Sequence, residues 1–483
     1  MTEHTPPSWA DASVEELRSA FASGAATPSG AAHAVLERIG RDAPLNAYHA
    51  VTAEEALRAA GEADRRHAEG RPIGPLDGVP VTVKENLGRT GVTVPSGTAL
   101  PDPPTPDRDS LVVSRLREAG AVVVGSTVMP DWGMLSSGVS SRHGVTRSPW
   151  DPSLTSGGSS AGAAVAAAAA HGPVHVGTDI GGSIRLPGTW NALATLKPSA
   201  GLIPLDSPYS GRVAGPMARR VADLFPLMEA AARWDDRDAS THPFPPQDFT
   251  PATTSPEGLR VGLQLEGGPG LPLSPAVRAA ALDAAERFAA AGAEIVEVPA
   301  ITTEELLLRV DRFWRVRALN TLRKLPDHLR EGDRPRKGYV LEYILDWCLG
   351  GRGVDGATAV DDYEALAELG ARTRELTRGL DLVLSPVTPC TAFPAEQPMP
   401  RPEPDEPMAH ISYTLPFNMS GQPAGTVNAG RDADGKWIGL QFAGPVGDDA
   451  RLLRLMAWWE RVRPAQAVPD WREIRSGDSV RPR

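Results

Sequence analysis

The stretch Gly177-Thr-Asp-Ile-Gly-Gly-Ser-Ile-Arg185 follows the apolar run 173–176, a pattern typical of a strand that ends in a glycine-rich turn. The two glycines before Ser183 allow successive backbone N–H groups to converge on one point, as an oxyanion hole requires. Asp179 and Arg185 are placed to hold such a loop through hydrogen bonds. From these residues alone, two interpretations stay open: a polar turn with a structural serine, or a nucleophile among N–H donors.

Outward from this turn, strands alternate with helices along the 483-residue chain. A helix, a glycine and a strand follow one another in 109–124 and again in 275–298. Such alternation predicts an α/β layer fold. Further strands are expected at 173–177, 260–264, 381–385, 424–428 and 437–443, and further helices at 159–171, 219–232, 303–320, 338–349, 361–378 and 448–462.

The composition indicates a large core and an acidic surface. Hydrophobic residues make up 41% of the chain, and the net charge is −11. An acidic surface disfavours nucleic acid and anionic membranes as partners. The N-terminal residues lack a secretory signal pattern, and the alanine run 161–170 is too short to span a bilayer. The two cysteines form no metal or redox motif. We therefore expect a cytoplasmic protein with no nucleic-acid or membrane partner.

A lysine ends the valine-rich strand Val79-Pro-Val-Thr-Val-Lys84. Burial of its aliphatic stem would lower its pKa and favour the neutral amine, which can act as a base. The chain contains only five lysines against 44 arginines, and an arginine could not serve as that base. The alternative is an ordinary strand-end lysine that reaches water.

The segment Thr155-Ser-Gly-Gly-Ser-Ser-Ala-Gly162 opens a helix of small residues. N–H groups at such a helix start can bind an anion or hold a polar side chain, although a capped buried helix would show the same pattern. Residues 158–162 also fit the G-x-S-x-G elbow of α/β hydrolases. That elbow requires a buried strand before it, whereas 148–157 is polar and contains two prolines, so we discount it.

Together and in this order, the segments PLDGVPVTVKENL, GGSSAG and GTDIGGSIRLPG resemble the amidase signature family. The spacing supports the resemblance, because Ser159 lies 75 residues after Lys84 and Ser183 lies 24 residues after Ser159. Flanking phrases such as RLREAGAVVVGSTVMPDWG and LPFNMSGQPAGTVNAG are also similar to the family. The resemblance extends from about residue 12 to 463 and is weakest in 235–375.

The resemblance implies the amidase signature fold, a large twisted mixed β-sheet covered by helices on both faces, and a Ser–Ser–Lys triad. By their positions in the matching motifs, Ser183 corresponds to the nucleophile of the family, Ser159 to its bridging serine and Lys84 to its base. The family places a cis peptide bond before the bridging serine, here Gly158–Ser159. The N–H group of Ser183 and those of the three residues before it would receive the oxyanion. The expected substrate-binding residues are Gly133, Ile180, Gly181 and Gly182.

The implied activity is hydrolysis of the C–N bond of a small-molecule linear amide through an acyl-enzyme, without metal or cofactor. An alternative is a protein similar to the A subunit of the tRNA-dependent amidotransferase, which would release ammonia from glutamine for a partner protein. A catalytically inactive binding protein is disfavoured, because all three triad residues are present. The sequence leaves open the identity of the amide and whether the protein is a homodimer.

Three segments are expected: a helical segment 1–70 packed on the core, a catalytic domain 71–465 and a tail 466–483. Within the catalytic domain, 235–375 is expected to shape the substrate site. Its aromatic residues either line a pocket or belong to amphipathic helices. Beside Gly133, Trp132 and Met134 favour an apolar or aromatic acyl group, although either could be ordinary core. The aromatic residues of the variable segment are Phe313, Trp314, Tyr339, Tyr343 and Trp347.

Overall fold

The computed structural model describes residues 8–206, 209–241, 243–401, 403 and 408–474. Its strands are β1 Tyr48–Val51, β2 Pro80–Lys84, β3 Val122–Thr127, β4 Val139–Ser140, β5 Gly144–Val145, β6 Val174–Asp179, β7 Ala194–Lys197, β8 Val213–Ala218, β9 Arg260–Leu263, β10 Glu294–Glu297, β11 Arg330–Glu331, β12 Arg334–Pro335, β13 Leu382–Pro386, β14 Ala424–Arg431 and β15 Trp437–Ala443. Its helices are α1 Val14–Ser23, α2 Pro28–Arg41, α3 Ala53–Ala68, α4 Leu111–Glu118, α5 Ala161–Ala168, α6 Arg185–Trp190, α7 Leu224–Ala231, α8 Pro275–Ala290, α9 Glu304–Arg323, α10 Glu342–Leu349, α11 Gly356–Leu376, α12 Leu415–Met419 and α13 Asp449–Val462.

Eleven of the described strands form one mixed sheet in the order β1-β3-β2-β6-β8-β7-β14-β15-β13-β9-β10. The third and fourth strands in this order, β2 and β6, run parallel, with Val81 opposite Val174 and Val83 opposite Val176. Parallel neighbours end at the same edge of a sheet, so the end of β2 lies beside the turn that follows β6. This topology confirms the predicted α/β fold with a large mixed sheet, and it brings Lys84 close to the glycine-rich turn.

Three strands of this sheet were not expected from the sequence. β1 is a short edge strand, paired with β3, inside the segment predicted to be helical. β7 and β8 continue the sheet beyond β6, and Pro216 of β8 lies opposite Val176. Proline is disfavoured inside a sheet because it cannot donate a ladder hydrogen bond. Pairing with β6 and β7 overrides this local preference, which explains why sequence patterning missed β8.

Helix α5 packs tightly because its residues are small. All eight of its residues are buried. A Cβ atom on Gly162 would lie 2.2 Å from the carbonyl oxygen of Ala47 and 2.6 Å from the backbone nitrogen of Val128, so only glycine fits there. The helix contacts β2, β3, β6 and β8. The small-residue pattern therefore allows α5 to lie directly against these four strands.

The described part of the chain contains no helix that is both long and apolar enough to cross a membrane. The predicted tail 466–483 is described as far as Ile474 and includes the 3₁₀ turn Trp471–Glu473; the rest of that prediction lies outside the described residues. The predicted boundaries at residues 70 and 465 stay predictions.

Candidate active site

The lysine and the serine singled out from the first two motifs are in direct contact. The Lys84 Nζ atom donates to the Ser159 Oγ atom at 2.8 Å, and its side chain is fully buried at the end of β2. The same amine donates to the Ser160 Oγ atom at 3.1 Å. The Ser160 hydroxyl donates in turn to the Thr178 carbonyl at 3.2 Å. Sequence reasoning missed Ser160, although the second serine of the GGSS motif was a visible signal.

Glycines shape the backbone around Ser159. The Gly158–Ser159 peptide bond is cis, as the resemblance implies. A Cβ atom on Gly158 would lie 2.4 Å from the Ser137 carbonyl oxygen. Gly133 has a φ of +71°, and a Cβ atom there would lie 3.2 Å from the Ser159 Oγ atom. Any larger residue at either position would therefore displace the serine or its supporting loop.

A buried ion pair holds the turn after β6. The Asp179 Oδ1 atom accepts from Arg185 Nη2 at 2.9 Å, and the Asp179 Oδ2 atom accepts from Arg185 Nε at 3.1 Å. The Arg185 Nη1 atom also donates to the Gln441 Oε1 atom at 2.7 Å, which ties the turn to β15. Burial raises the pKa of Asp179, but the charge and hydrogen bonds of Arg185, together with hydrogen bonds from Asn418 and the Ile184 N–H, outweigh burial and hold this pKa well below its usual value. The predicted scaffold role of Asp179 and Arg185 agrees with these contacts.

The expectation for Gly182 needs a correction. Its N–H donates to the Asp179 Oδ1 atom at 2.8 Å, so this donor is occupied within the turn. Its φ is +128°, and a Cβ atom would lie 2.7 Å from the Thr414 Oγ1 atom. Gly182 therefore shapes the turn rather than facing substrate. Among the described residues, the N–H groups of Ile180, Gly181 and Ser183 have no protein acceptor.

Ser183 lies where two cavities meet, and its hydroxyl forms no hydrogen bond with the described part of the protein. We call the cavities the apolar chamber, of about 270 Å³, and the polar chamber, of about 280 Å³. The residues of the apolar chamber are Trp132, Gly133, Met134, Leu135, Ser136, Ile180, Gly181, Ser183, Leu186, Trp314, Arg317, Ala318, Thr321, Trp347, Met399, Met408 and Ile411. Those of the polar chamber are Asn86, Val94, Ser96, Met129, Trp132, Gly133, Ser159, Thr178, Asp179, Ile180, Ser183, Tyr209, Arg212 and Arg317.

The variable segment contributes to both chambers. Trp314 and Trp347 line the apolar chamber, as one of the two interpretations of this segment anticipated. Phe313 instead packs on Tyr363, with ring centroids 5.2 Å apart, and lines neither chamber. Sequence reasoning missed Arg317, which lines both chambers, because nothing distinguishes it from the other arginines of helix α9. The predicted residues Gly133, Ile180 and Gly181 do line this site; Gly182 does not.

Two buried lysines have lowered pKa values, but only one lies at the site. Burial is the main cause that lowers the pKa of Lys84 to about 7, and the charge of Arg212 acts in the same direction. Burial also lowers the pKa of Lys197. The Lys197 Nζ atom donates to the Pro198 carbonyl at 2.8 Å and lines neither chamber. Position rather than pKa therefore singles out Lys84 as the group that can exchange a proton with a serine.

The residue after Lys84 belongs to a polar network. The Glu85 Oε2 atom lies 3.0 Å from His143 Nε2 and 3.9 Å from His49 Nδ1. His49 Nε2 lies 3.0 Å from the Thr93 carbonyl. In the described part of the chain, these three side chains are the one group of potential metal ligands whose ligand atoms come together, within 4.8 Å. Their contacts are those of a hydrogen-bonded network. The negative charge of Glu85 partly offsets the effect of burial, because it favours the protonated form of Lys84 and so raises its pKa.

Replacing Arg185 by methionine is expected to reduce the free energy of unfolding by about 3–5 kcal/mol, because Asp179 would stay buried without its partner. Urea denaturation followed by fluorescence measures this change. Arg287→Met is the matched control, since the Arg287–Asp283 pair is exposed and its loss is expected to cost less than about 1 kcal/mol. Equal losses in the two variants would contradict a structural role for the buried pair.

Comparison with known proteins agrees with the geometry. Residues 31–453 match the family model described as Amidase. The A subunit of the glutamyl-tRNA(Gln) amidotransferase of Chloroflexus aggregans is 33% identical over 93% of this chain and 96% of its own. Native peptide amidase from Stenotrophomonas maltophilia is 26% identical, with a TM-score of 0.78, over 95% of this chain and 99% of its own. A bacterial aryl acylamidase superposes with a TM-score of 0.87 at 24% identity, over 98% of this chain and 100% of its own. The matched motifs, the fold and the family model together place the chain in the amidase signature family.

Proposed function

We propose that the protein hydrolyses a small-molecule amide through an acyl-enzyme on Ser183, with Ser159 and Lys84 as the proton relay. The observation that carries the proposal is the 2.8 Å hydrogen bond between the Lys84 Nζ and Ser159 Oγ atoms, next to cavities that Ser183 also lines. A serine hydroxyl is a weak nucleophile until a base accepts its proton. A buried lysine with a pKa of about 7 can supply that base at neutral pH.

Acylation follows from this arrangement. Neutral Lys84 accepts the proton of Ser159, which accepts the proton of Ser183, and the Ser183 oxygen attacks the amide carbonyl carbon. Negative charge develops on the carbonyl oxygen, which the free N–H groups of Ile180, Gly181 and Ser183 can receive. One such donor is typically worth about 2.7–4 kcal/mol. The relay then returns the proton to the leaving nitrogen as the C–N bond breaks, and water hydrolyses the ester on Ser183.

Ser160 acts as a positioning residue in this proposal. Its hydroxyl accepts from Lys84 and from the Thr178 N–H, and it donates to the Thr178 carbonyl. These contacts hold the lysine amine between two serine oxygens. Only Ser159 of the two serines lines the polar chamber, so the proton passes through Ser159.

The apolar chamber favours an apolar acyl group. Trp132, Trp314 and Trp347 are among its walls, together with several methionine and aliphatic side chains. A volume of about 270 Å³ accommodates an aryl or branched alkyl group. Burying such a group is worth about 1.5–3 kcal/mol more than leaving it in water. We therefore propose amides of aromatic or extended aliphatic acids as the substrate class.

The second candidate is the release of ammonia from glutamine for a partner protein. The relatives that are named as A subunits of glutamyl-tRNA(Gln) amidotransferases favour it. The composition of the chambers disfavours it, because the acyl part of glutamine carries an ammonium group that needs an acidic partner when buried. Among the described lining residues, Asp179 is the one carboxylate, and Arg185 already pairs with it.

A hydrolysis screen tests the proposed function. Primary amides and anilides of acetic, butyric, benzoic and phenylacetic acids are compared with glutamine, and Ser183→Ala is the blank. We expect kcat/KM for the phenylacetyl amides to exceed that for the acetyl amides by about 10–100-fold, from burial of the ring. Measurable turnover of glutamine alone among these compounds would favour the amidotransferase role instead.

A further inference from the structure

The polar chamber is rich in positive charge. Arg212 and Arg317 both line it, and its one carboxylate among the described residues, Asp179, is paired with Arg185. The Arg317 guanidinium stacks on Tyr209, with its Cζ atom 3.6 Å from the ring centroid. In the part of the chain that the structure describes, no carboxylate forms an ion pair with Arg317. A cation at this wall therefore faces the cavity without an acid to neutralise it.

The two arginines are close enough to repel each other. Burial is the first cause that lowers the pKa of Arg212, and the positive charge of Arg317 is the second. Asp206 offsets part of this repulsion, while its carboxylate also accepts the N–H of Leu111 at 2.7 Å. Like charges that face one cavity are stabilised when an anion binds between them.

A hydroxyl without an acceptor points to the same ligand. The Tyr209 side chain lines the polar chamber, and the Trp314 and Arg317 N–H groups face its buried oxygen, but the hydroxyl itself has no acceptor among the described residues. A buried donor without an acceptor is unfavourable, because it has lost its hydrogen bond to water and gained none in return. A carboxylate held by the arginines beside this ring would supply the missing acceptor.

The relay fixes which half of the substrate enters the polar chamber. The leaving nitrogen must receive its proton from Ser159, so it must lie beside that hydroxyl. Ser159 lines the polar chamber and not the apolar chamber. The amine half of the amide therefore points toward Arg212 and Arg317, and the acyl half occupies the apolar chamber.

We infer that the amine half of the substrate carries a carboxylate bound between Arg212 and Arg317, so that the enzyme cleaves N-acyl amino acids with an apolar acyl group. This inference rests on the proposed function. In the reaction, the C–N bond breaks, the acyl group passes to Ser183 and then to water, and the nitrogen leaves as the amine of an amino acid. The products are an apolar carboxylic acid and a free amino acid.

Three matched amides of phenylacetic acid test this inference: N-phenylacetylglycine, N-(2-hydroxyethyl)phenylacetamide and N-(2-aminoethyl)phenylacetamide. They present a negative, a neutral and a positive group at the same distance from the amide. We expect kcat/KM for the carboxylate to exceed that for the neutral amide by at least about tenfold, chiefly through a lower KM, because hydrogen bonds to charged groups are strong. The cationic amide is expected to be the poorest substrate.

Arg317→Gln is expected to reduce the carboxylate-to-neutral ratio of kcat/KM to within about threefold. The ratio is independent of the amount of folded enzyme, and Arg212→Gln provides a second variant with the same expected loss. Arg323→Gln is the matched control, because Arg323 also lies on α9 but pairs with Asp333 and lines neither chamber. Its ratio is expected to equal that of the unmodified protein.

The possible failures are distinguishable. If the neutral amide is hydrolysed as efficiently as the carboxylate, the inference is wrong while the proposed function stands. The same holds if the preference for the carboxylate persists in both arginine variants. If none of the three amides is hydrolysed while another amide of the hydrolysis screen is, the inference is wrong and the proposed function stands. If no amide of either set is hydrolysed, the proposed function falls together with the inference.

Discussion

Replacing Ser183 by alanine is expected to lower kcat/KM for amide hydrolysis by at least about 10⁴-fold, because no acyl-enzyme can form without the hydroxyl. The Ser183 side chain forms no hydrogen bond with the described part of the protein and lies at the junction of two cavities. Its removal therefore leaves the packing intact, and the free energy of unfolding is expected to change by less than about 0.5 kcal/mol. Steady-state kinetics and urea denaturation of the same preparation measure both quantities.

Ser160→Ala is the matched control for this loss. Ser160 contacts Lys84 but lines neither chamber, so its removal is expected to reduce kcat/KM by only about 10–100-fold. Mass spectrometry of the unmodified protein, quenched during turnover, is expected to detect an acyl group on the peptide that contains Ser183. Turnover by Ser183→Ala above about 1% of normal would contradict the assignment of the nucleophile.

Replacing Lys84 by methionine is expected to lower kcat/KM by about 10⁴-fold, because the relay loses its base. In a set of residues that act as a unit, removing one member costs nearly as much activity as removing all of them. Methionine retains an unbranched apolar stem, so the buried strand end stays filled. Kinetics with the best amide of the screen measure the loss. Lys197→Met is the matched control: Lys197 is equally buried and also has a lowered pKa, yet it donates to Pro198 away from the chambers. Comparable rates in the two variants would contradict the assignment of Lys84 as the base.

The same lysine predicts the pH dependence. Only the neutral amine can accept a proton, and the pKa of Lys84 is lowered to about 7. For the unmodified protein, kcat/KM is therefore expected to rise about tenfold per pH unit below that value and to level off above it. Arg212→Gln removes a positive charge that lowers the pKa of Lys84, so its rising limb is expected at higher pH. A flat profile from about pH 5 to 9 would contradict a neutral lysine base.

The motifs predicted much of the site because each one is local in the sequence. Lys84 ends a strand of valines, Ser159 precedes a helix of small residues, and Ser183 follows two glycines in a turn. Asp179 and Arg185 flank that turn, so their mutual contact was also predictable from their spacing. Short-range geometry of this kind depends on backbone conformations that a few residues determine.

Other features depended on contacts between distant parts of the chain. Whether the N–H of Gly182 faces substrate or Asp179 is decided by how the turn folds back on itself. β8 was missed because pairing on both of its sides outweighs the local preference of its proline. Neither the orientation of the Gly182 N–H nor the pairing of β8 leaves a mark in the hydrophobic pattern from which the sequence prediction was made.

By itself, then, the sequence determined the family, the α/β class and the three residues of the proposed relay, because these follow from ordered local motifs. The tertiary structure alone decided the shape and charge of the two chambers. Arg212 lies directly before β8 and Arg317 on helix α9, about a hundred residues later, and only the fold brings both to one wall. The contacts of a single arginine in a helix cannot be predicted from the sequence around it, because the packing of whole helices and strands decides which residues it meets.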